Sequence, residues 1–486
     1  MRTGKITPRV ARRATVLSLS AVVALFGVIP SAQTTRPAVG PERPFQLAPR
    51  VERTLPNGLR VIVTRQTVVP KVSVTLTILA GLASDPPNLT GLATMTGEAI
   101  QEGTKLRTSR EIRHQVFGMG GTLSAAASQD YTSITARGLS EFAPGLIDLV
   151  ADVAMNPTFP EQEVGILKQQ HLQALEQAQA SPQFVANREF RAHLFGEHPY
   201  ARVSETVESV NAVNRERLGT FHHDYYKPNN AFLLVVGAIE PEQVFTAAQK
   251  AFGGWAKFET NPPKVVPQPS IEGRHVYFVQ RPNSVQSSIS IGNFTVKRSD
   301  PHWYEMALAN TIFGGAFNSR IVRNIREDKG YTYSPSSLFQ AFRQAGFYKF
   351  DADVRNEVTG PTLTEVFKEI DKLKAEGSSG DELNGAKQYM RGVFPYQTSS
   401  QTGLAAVLNL VYVFGLPKDY PETFRAKIAA ITPEQVKAGA NELFGSGGGM
   451  VVVVVGDWGK VKDQLADYKD ITFLDISGKK TAAPGD

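Results

Sequence analysis

The stretch AFLLVVGAIEPEQV, residues 231–244, is an apolar strand pattern closed by Gly237. A second run, GMVVVVVGDWGKV at residues 449–461, is closed by Gly456, 219 positions later (456 − 237). The same interval separates Glu163 from Glu382 (382 − 163), each at the start of a helical pattern: PEQEVGILKQQHLQALEQ at 160–177 and GDELNGAKQYMRGVF at 380–394. A short helical pattern precedes each final run, VNAVNRERLGTFHHDYY at 210–226 and IAAITPEQVKAGANELF at 428–444. One interval shared by separate markers indicates a duplicated unit. The join between copies is ETNPPKVVPQPSIEG, residues 259–273, whose four prolines can continue neither a helix nor a central strand.

Working outward, GLRVIVTRQ, KVSVTLTILAG and YTSITARGL alternate in β-branched residues and read as strands. Helical patterns occupy 89–102, 109–119, 142–155 and 161–180. Clustered strands followed by helices predict an α+β chain of two homologous domains, each a mostly antiparallel sheet with helices packed on one face. The expected divisions are a signal peptide at 1–32, a flexible lead-in at 33–50, an N-terminal domain at 51–258, a linker at 259–273 and a C-terminal domain at 274–475.

Net charge is +6, and the first 32 residues carry five cations (Arg2, Lys5, Arg9, Arg12, Arg13) and no acid. The rest is close to neutral, so a basic pI is no argument for nucleic acid. The basic start, the apolar run ATVLSLSAVVALFGVIP at 14–30 and the small pair Ser31-Ala32 have the layout of a secretory signal. The apolar run is short of the about 20 residues a membrane span needs. Export to a bacterial periplasm is expected, with no membrane span after signal removal. There is no cysteine, which removes thiol catalysis, disulfides and thiolate metal sites.

The chain contains no Gly-x-Ser-x-Gly elbow, no Walker A loop, no EF-hand loop and no H-E-x-x-H. None of its eight histidines has a helical i, i+4 partner with a carboxylate between. His222, His223 and Asp224 are consecutive, point in different directions on a helix, and read as a solvated polar turn. His198 in GEHPY reads as a loop or packing residue.

The segments LPNGLRVIV (55–63), GLASDPPNLTGLA (81–93), EGTKLRTSREI (102–112), GGTLSAAASQDYT (120–132), GEHPYAR (196–202) and YYKPNNAFLLVVG (225–237), in that order, resemble the M16 family of zinc peptidases. This is the pitrilysin, insulinase and mitochondrial-processing-peptidase-like group. The resemblance implies a bilobed chain forming half of a clam shell. Active members carry H-x-x-E-H after Gly-Leu-Ala; here those positions are Thr94, Gly97 and Glu98. A further Glu ligand is expected roughly 75 residues on, but VGILKQQHLQAL (164–175) contains no acid. The resemblance therefore implies a degenerate zinc site with no metal or other cofactor in this chain.

FGGAFNSRIVRNIREDKGYTYS, residues 313–334, resembles the family's C-terminal motif, in which an Arg precedes a Tyr by seven residues; these are Arg326 and Tyr333. Ile321, Val322 and Ile325 form the expected buried face of a helix, Gly330 its end, and Tyr333 is expected on the following strand. By resemblance Arg326 binds a peptide carbonyl and Tyr333 donates to the oxyanion of the tetrahedral intermediate. The edge at Ser124 and Ala125 is the expected place for strand addition of a peptide. The implied function is the zinc-free subunit of a heterodimeric periplasmic M16 peptidase. Its partners are an M16 subunit with intact H-x-x-E-H, which carries the zinc, and unfolded peptide substrates. The alternatives are a structural or peptide-binding M16-like protein with no part in catalysis and, last, an independent hydrolase.

Overall fold

A computed structural model of the chain describes residues 45–257, 266–267, 271–445 and 448–485. The expected signal segment, the lead-in up to residue 44 and all of the 259–273 join except 266–267 and 271–273 lie outside these residues. From residue 46 on, the described residues form one compact unit. The first strand begins inside the expected lead-in, at Arg50.

The N-terminal lobe contains β1 (Arg50–Thr54), β2 (Arg60–Arg65), β3 (Lys71–Ile78), α1 (Leu92–Ala99), α2 (Ser109–Gly118), β4 (Thr122–Ala127), β5 (Thr132–Leu139), α3 (Ala143–Met155), α4 (Glu161–Gln179), α5 (Pro182–Phe195), α6 (Val207–Ala212), α7 (Arg215–Tyr225), β6 (Ala231–Gly237) and α8 (Pro241–Phe252). The C-terminal lobe contains β7 (Arg274–Gln280), β8 (Gln286–Thr295), α9 (Trp303–Asn310), two π-helical segments (Thr311–Gly315 and Val322–Asp328), β9 (Ser336–Ala341), β10 (Gly346–Arg355), α10 (Thr359–Glu376), α11 (Gly380–Thr398), α12 (Gln401–Phe414), α13 (Tyr420–Ala430), α14 (Pro433–Leu443), β11 (Met450–Gly456), α15 (Trp458–Val461) and β12 (Ile471–Leu474).

Each lobe builds a six-stranded sheet, in the orders β1-β2-β6-β3-β5-β4 and β12-β7-β11-β8-β10-β9. Five strands superpose in order, and the sixth marks the difference. β1 comes from ahead of its lobe and pairs antiparallel with β2. β12 comes from behind its lobe and fills the same slot parallel to β7. With β2–β6 and β7–β11 also parallel, the sheets are mixed, and most neighbours are antiparallel.

Helices were expected on one face of each sheet; here the second face is also covered, by a helix from the other lobe. On β6, Leu233 and Val235 face the core of their own lobe. Phe232, Leu234 and Val236 face Leu404, Ala405, Leu408 and Val413 of α12. On β11, Val451, Val453 and Val455 face Val185, Ala186, Phe190 and Leu194 of α5. The exchange is reciprocal, and α5 and α12 begin 219 residues apart (401 − 182). It explains why both runs are apolar throughout: a strand covered on both faces has no side for polar residues. Each fully buried aliphatic side chain contributes about 1.5–3 kcal/mol. Polar ties also cross between lobes. Thr77 donates to Asn409 Oδ1 at 2.6 Å, and the Arg343 amide donates to Asp130 Oδ2 at 3.0 Å.

Candidate functional site

Helix α1 starts in a position set by side chains. Asp85 accepts from the amides of Gly91 and Ala93, both at 2.8 Å, satisfying two of the donors a helix start leaves free. Burial is the main reason its carboxyl is pushed up to about 7. Gly91 takes φ +90°, and a Cβ there would lie 2.9 Å from Glu205, so only glycine lets that side chain approach. Along α1, Leu92, Ala93, Met95, Thr96, Gly97 and Ala99 are buried. Thr94 and Glu98, at i and i+4, are the residues left half-buried. Gly97 lies against Thr132, whose Cγ2 is 3.2 Å from where a Cβ would stand.

Glu98 is not a lone carboxylate. His171 of α4 donates from Nε2 to Glu98 Oε2 at 2.9 Å and from Nδ1 to Glu205 Oε1 at 2.7 Å. Neutral imidazole has one N–H, so two carboxylate acceptors require the imidazolium. First Glu205 and then Glu98 push the His171 pKa up to about 10. The His171 side chain is 11% exposed, Glu205 16% and Glu98 39%. The bridge is thus sheltered at one end and open at the other.

These residues do not fit a zinc ion. Glu98 and Glu205 occupy opposite nitrogens of one ring, so they cannot converge on a common point, and the ring carries a positive charge there. Among the described residues no group of three or more His, Asp and Glu side chains is placed to hold a metal. The chemistry is charge-inverted: in H-x-x-E-H neutral imidazoles hold a cation, and here carboxylates hold a cation that the chain itself supplies.

His171 is not legible as the expected ligand because the pattern calls for an acid in 164–175 and this residue is a base. His171 is 73 residues beyond Glu98 (171 − 98), on the buried stripe Val164, Leu167, His171, Leu175. A histidine on that stripe, at the spacing where a ligand was sought, was the available signal. Glu205, in a loop before α6, gave none.

β4 is the margin of its sheet, paired only with β5. Ser124 faces solvent, whereas Ala125 packs on the core, so the two lie on opposite faces. The second candidate pair lies in the C-terminal lobe. Ile321, Val322 and Ile325 are buried as expected, although the segment from Val322 is π-helical. Gly330, at φ +62°, ends it, with the Tyr331 amide donating to Ile325 O at 2.9 Å. Tyr333 is not on a strand. It lies in the loop before β9 and is 89% exposed, with no hydrogen-bond partner among the described residues. Pro335, which has no N–H to donate to a ladder, immediately precedes the strand. The Arg326 guanidinium lies over the Phe317 ring, 4.8 Å from its centroid, and no carboxylate pairs with it among the described residues. No hydrogen bond or ion pair there joins Arg326 or Tyr333 to Thr94, Gly97 or Glu98.

The solvated reading holds for His223 and Asp224, which are exposed. It fails for His222, which donates to Ala154 O at 2.8 Å and packs on Phe159 and Tyr226. His198 is buried and accepts the Tyr200 amide at 3.0 Å, a packing role.

Comparison with known proteins gives concordant matches. A family model described as Insulinase (Peptidase family M16) matches residues 60–206, and one described as Peptidase M16 inactive domain matches 212–390. Together they take in more than half of the chain. An uncharacterized zinc protease of Streptomyces coelicolor is 25% identical over 427 residues, 85% of this chain and 90% of that protein. One of Bacillus subtilis is 24% identical over 343 residues, 70% and 82% of the respective chains. Among solved structures, a peptidase M16 inactive domain from Pseudomonas fluorescens aligns with TM-score 0.79 and 26% identity, over 84% of this chain and 98% of that one. A protease from Helicobacter pylori shares the fold, with TM-score 0.77 and 19% identity over 84% and 100%.

Proposed function

The chain belongs to the M16 peptidase family, and from that premise we propose that it is the metal-free subunit of a two-chain M16 peptidase. The observation that carries this is the Glu98–His171–Glu205 bridge, which puts the chain's own cation where a zinc helix would need ligands. A chain in this state needs a second M16 chain with intact H-x-x-E-H, and that chain holds the zinc. Arg326 and Tyr333 are the groups this chain lends: a guanidinium for a peptide carbonyl and a phenol for the developing oxyanion. Neither has a hydrogen-bond or ion-pair partner among the described residues, which supports this, since donors already taken up within the lobe are not free to meet a substrate. The basic start and apolar run at 14–30 support export to the periplasm.

The test is reconstitution. The chain alone, the candidate zinc chain alone and both co-expressed are assayed for zinc content, complex formation and hydrolysis of unfolded peptides. Activity confined to the pair, with zinc in the other chain, is the expected result. One tightly held zinc per chain and unaided digestion by this protein would overturn the reading. A second reading, a peptide-binding M16-like protein outside catalysis, draws on the 89% exposure of Tyr333, which no hydrogen bond among the described residues orients. In that case removing the Tyr333 hydroxyl leaves turnover unchanged.

A further inference from the structure

We propose that Phe317 is a positioning and specificity-determining residue, one that holds Arg326 open toward a peptide and selects for an apolar side chain beside the carbonyl Arg326 binds. This rests on the reading of Arg326 as a peptide-binding group.

Phe317 follows the π-helical segment Thr311–Gly315, and Arg326 lies within Val322–Asp328. π-turns are rare and are frequently found at functional sites. Phe317 is 70% exposed, a large aromatic surface left outside the core. Three neighbouring cations are engaged within the lobe. Arg320 forms a two-pronged pair with Glu382, Lys329 reaches Glu365 at 3.5 Å and Arg355 donates to Gly330 O at 3.1 Å. Arg326 instead rests over the Phe317 ring.

The difference in partner matters chemically. A carboxylate takes up the N–H fork of a guanidinium, whereas an aromatic face attracts the cation and leaves the N–H groups at its rim free to donate. The ring thus fixes the long Arg326 side chain, lowering the ordering cost of binding, without using the donors a peptide carbonyl needs. Its remaining exposed surface lies beside those donors. The ligand class this fits is an extended peptide with an apolar or aromatic side chain next to the captured carbonyl.

The experiment uses the full chain and two fluorescein-labelled unstructured peptides. One is rich in Leu and Phe, and in the other those residues are Gln. Phe317→Ala should weaken binding of the apolar peptide about five- to tenfold and of the Gln peptide about twofold. Phe317→Tyr should bind both like the unaltered protein. In an Arg326→Gln background the Phe317→Ala effect should shrink, because part of it acts through the guanidinium. Circular dichroism and the thermal midpoint should stay unchanged, as expected for so exposed a residue. Equal binding of both peptides by Phe317→Ala and the unaltered chain overturns the inference and leaves the two-chain function standing on reconstituted activity. If the unaltered chain binds neither peptide, the peptide-binding reading of Arg326 falls with it.

Discussion

His171 Nε2 stands 2.9 Å from Glu98 Oε2, and this contact joins α1 to α4 at the place the zinc pattern leads to. Deleting metal ligands from such a cleft would leave carboxylates facing one another or water. Here one imidazolium pairs with both carboxylates from within, so helix packing does not depend on an ion.

Removing His171 should destabilise the protein strongly. In His171→Gln, Glu98 and Glu205 lose the charge between them, at a cost of about 3 kcal/mol, where the ranges for a charged hydrogen bond and a broken buried pair meet. Glu205→Gln should cost more than Glu98→Gln, since Glu205 is the more sheltered. Urea unfolding of the three variants at neutral pH ranks them directly.

The same bridge sets a pH dependence. Folding raises the His171 pKa from 6.5 to about 10. A raised pKa stabilises the fold fully below the unfolded value, and the contribution disappears as pH rises through the folded one. The urea midpoint should therefore fall between pH 7 and pH 10 more steeply in the unaltered protein than in His171→Gln. Subtracting the two curves removes the lysines and tyrosines that titrate in the same window. Parallel curves would show that the bridge is not protonated.

The duplicated α+β plan was legible because strand and helix periods survive in each copy. The reciprocal exchange of α5 and α12 was not, because an apolar stripe such as Leu404, Leu408 and Val411 tells that a face is buried, not which sheet buries it. Tyr333 was misplaced because YTYS has the β-branched and aromatic character of a strand, while Gly330 and Pro335 hold the intervening residues in a loop. The vacated ligand positions Thr94, Gly97 and Glu98 could be read by register. The charge that replaced the ion could not, because it depends on Glu205, which is distant in sequence and carries no periodic signal.

The helix exchange predicts that damage crosses between lobes. Leu408 of α12 is fully buried and packs on β6. Leu408→Ala should cost about 2–5 kcal/mol and raise amide exchange in residues 231–237, in the other lobe. Faster exchange confined to the C-terminal lobe would contradict the packing.

Tyr333→Phe separates chemistry from stability. No described residue bonds the hydroxyl, so the thermal midpoint should be unchanged. Turnover of a reconstituted complex should fall about 10²–10³-fold, as for removal of one oxyanion donor. Unchanged turnover would assign this chain a binding role alone.

Restoring a metal site should require undoing the internal cation. Thr94→His, Gly97→Glu and Glu98→His together place H-x-x-E-H on α1, but Glu205, the larger cause of the raised His171 pKa, still faces the ring, and an imidazolium held there repels a dication. Gly97→Glu also meets Thr132 Cγ2 at 3.2 Å; Thr132→Ser removes that methyl and keeps the hydroxyl that donates to Ala80 O at 2.8 Å. With Thr132→Ser present, the three exchanges should bind zinc weakly in chelator competition. Adding His171→Glu supplies the missing carboxylate on α4, and uptake should rise to one zinc per chain with at least about tenfold tighter binding, since one opposed charge is worth a kilocalorie or more at this range. Equal affinity with and without His171→Glu would mean that the imidazolium does not guard this site.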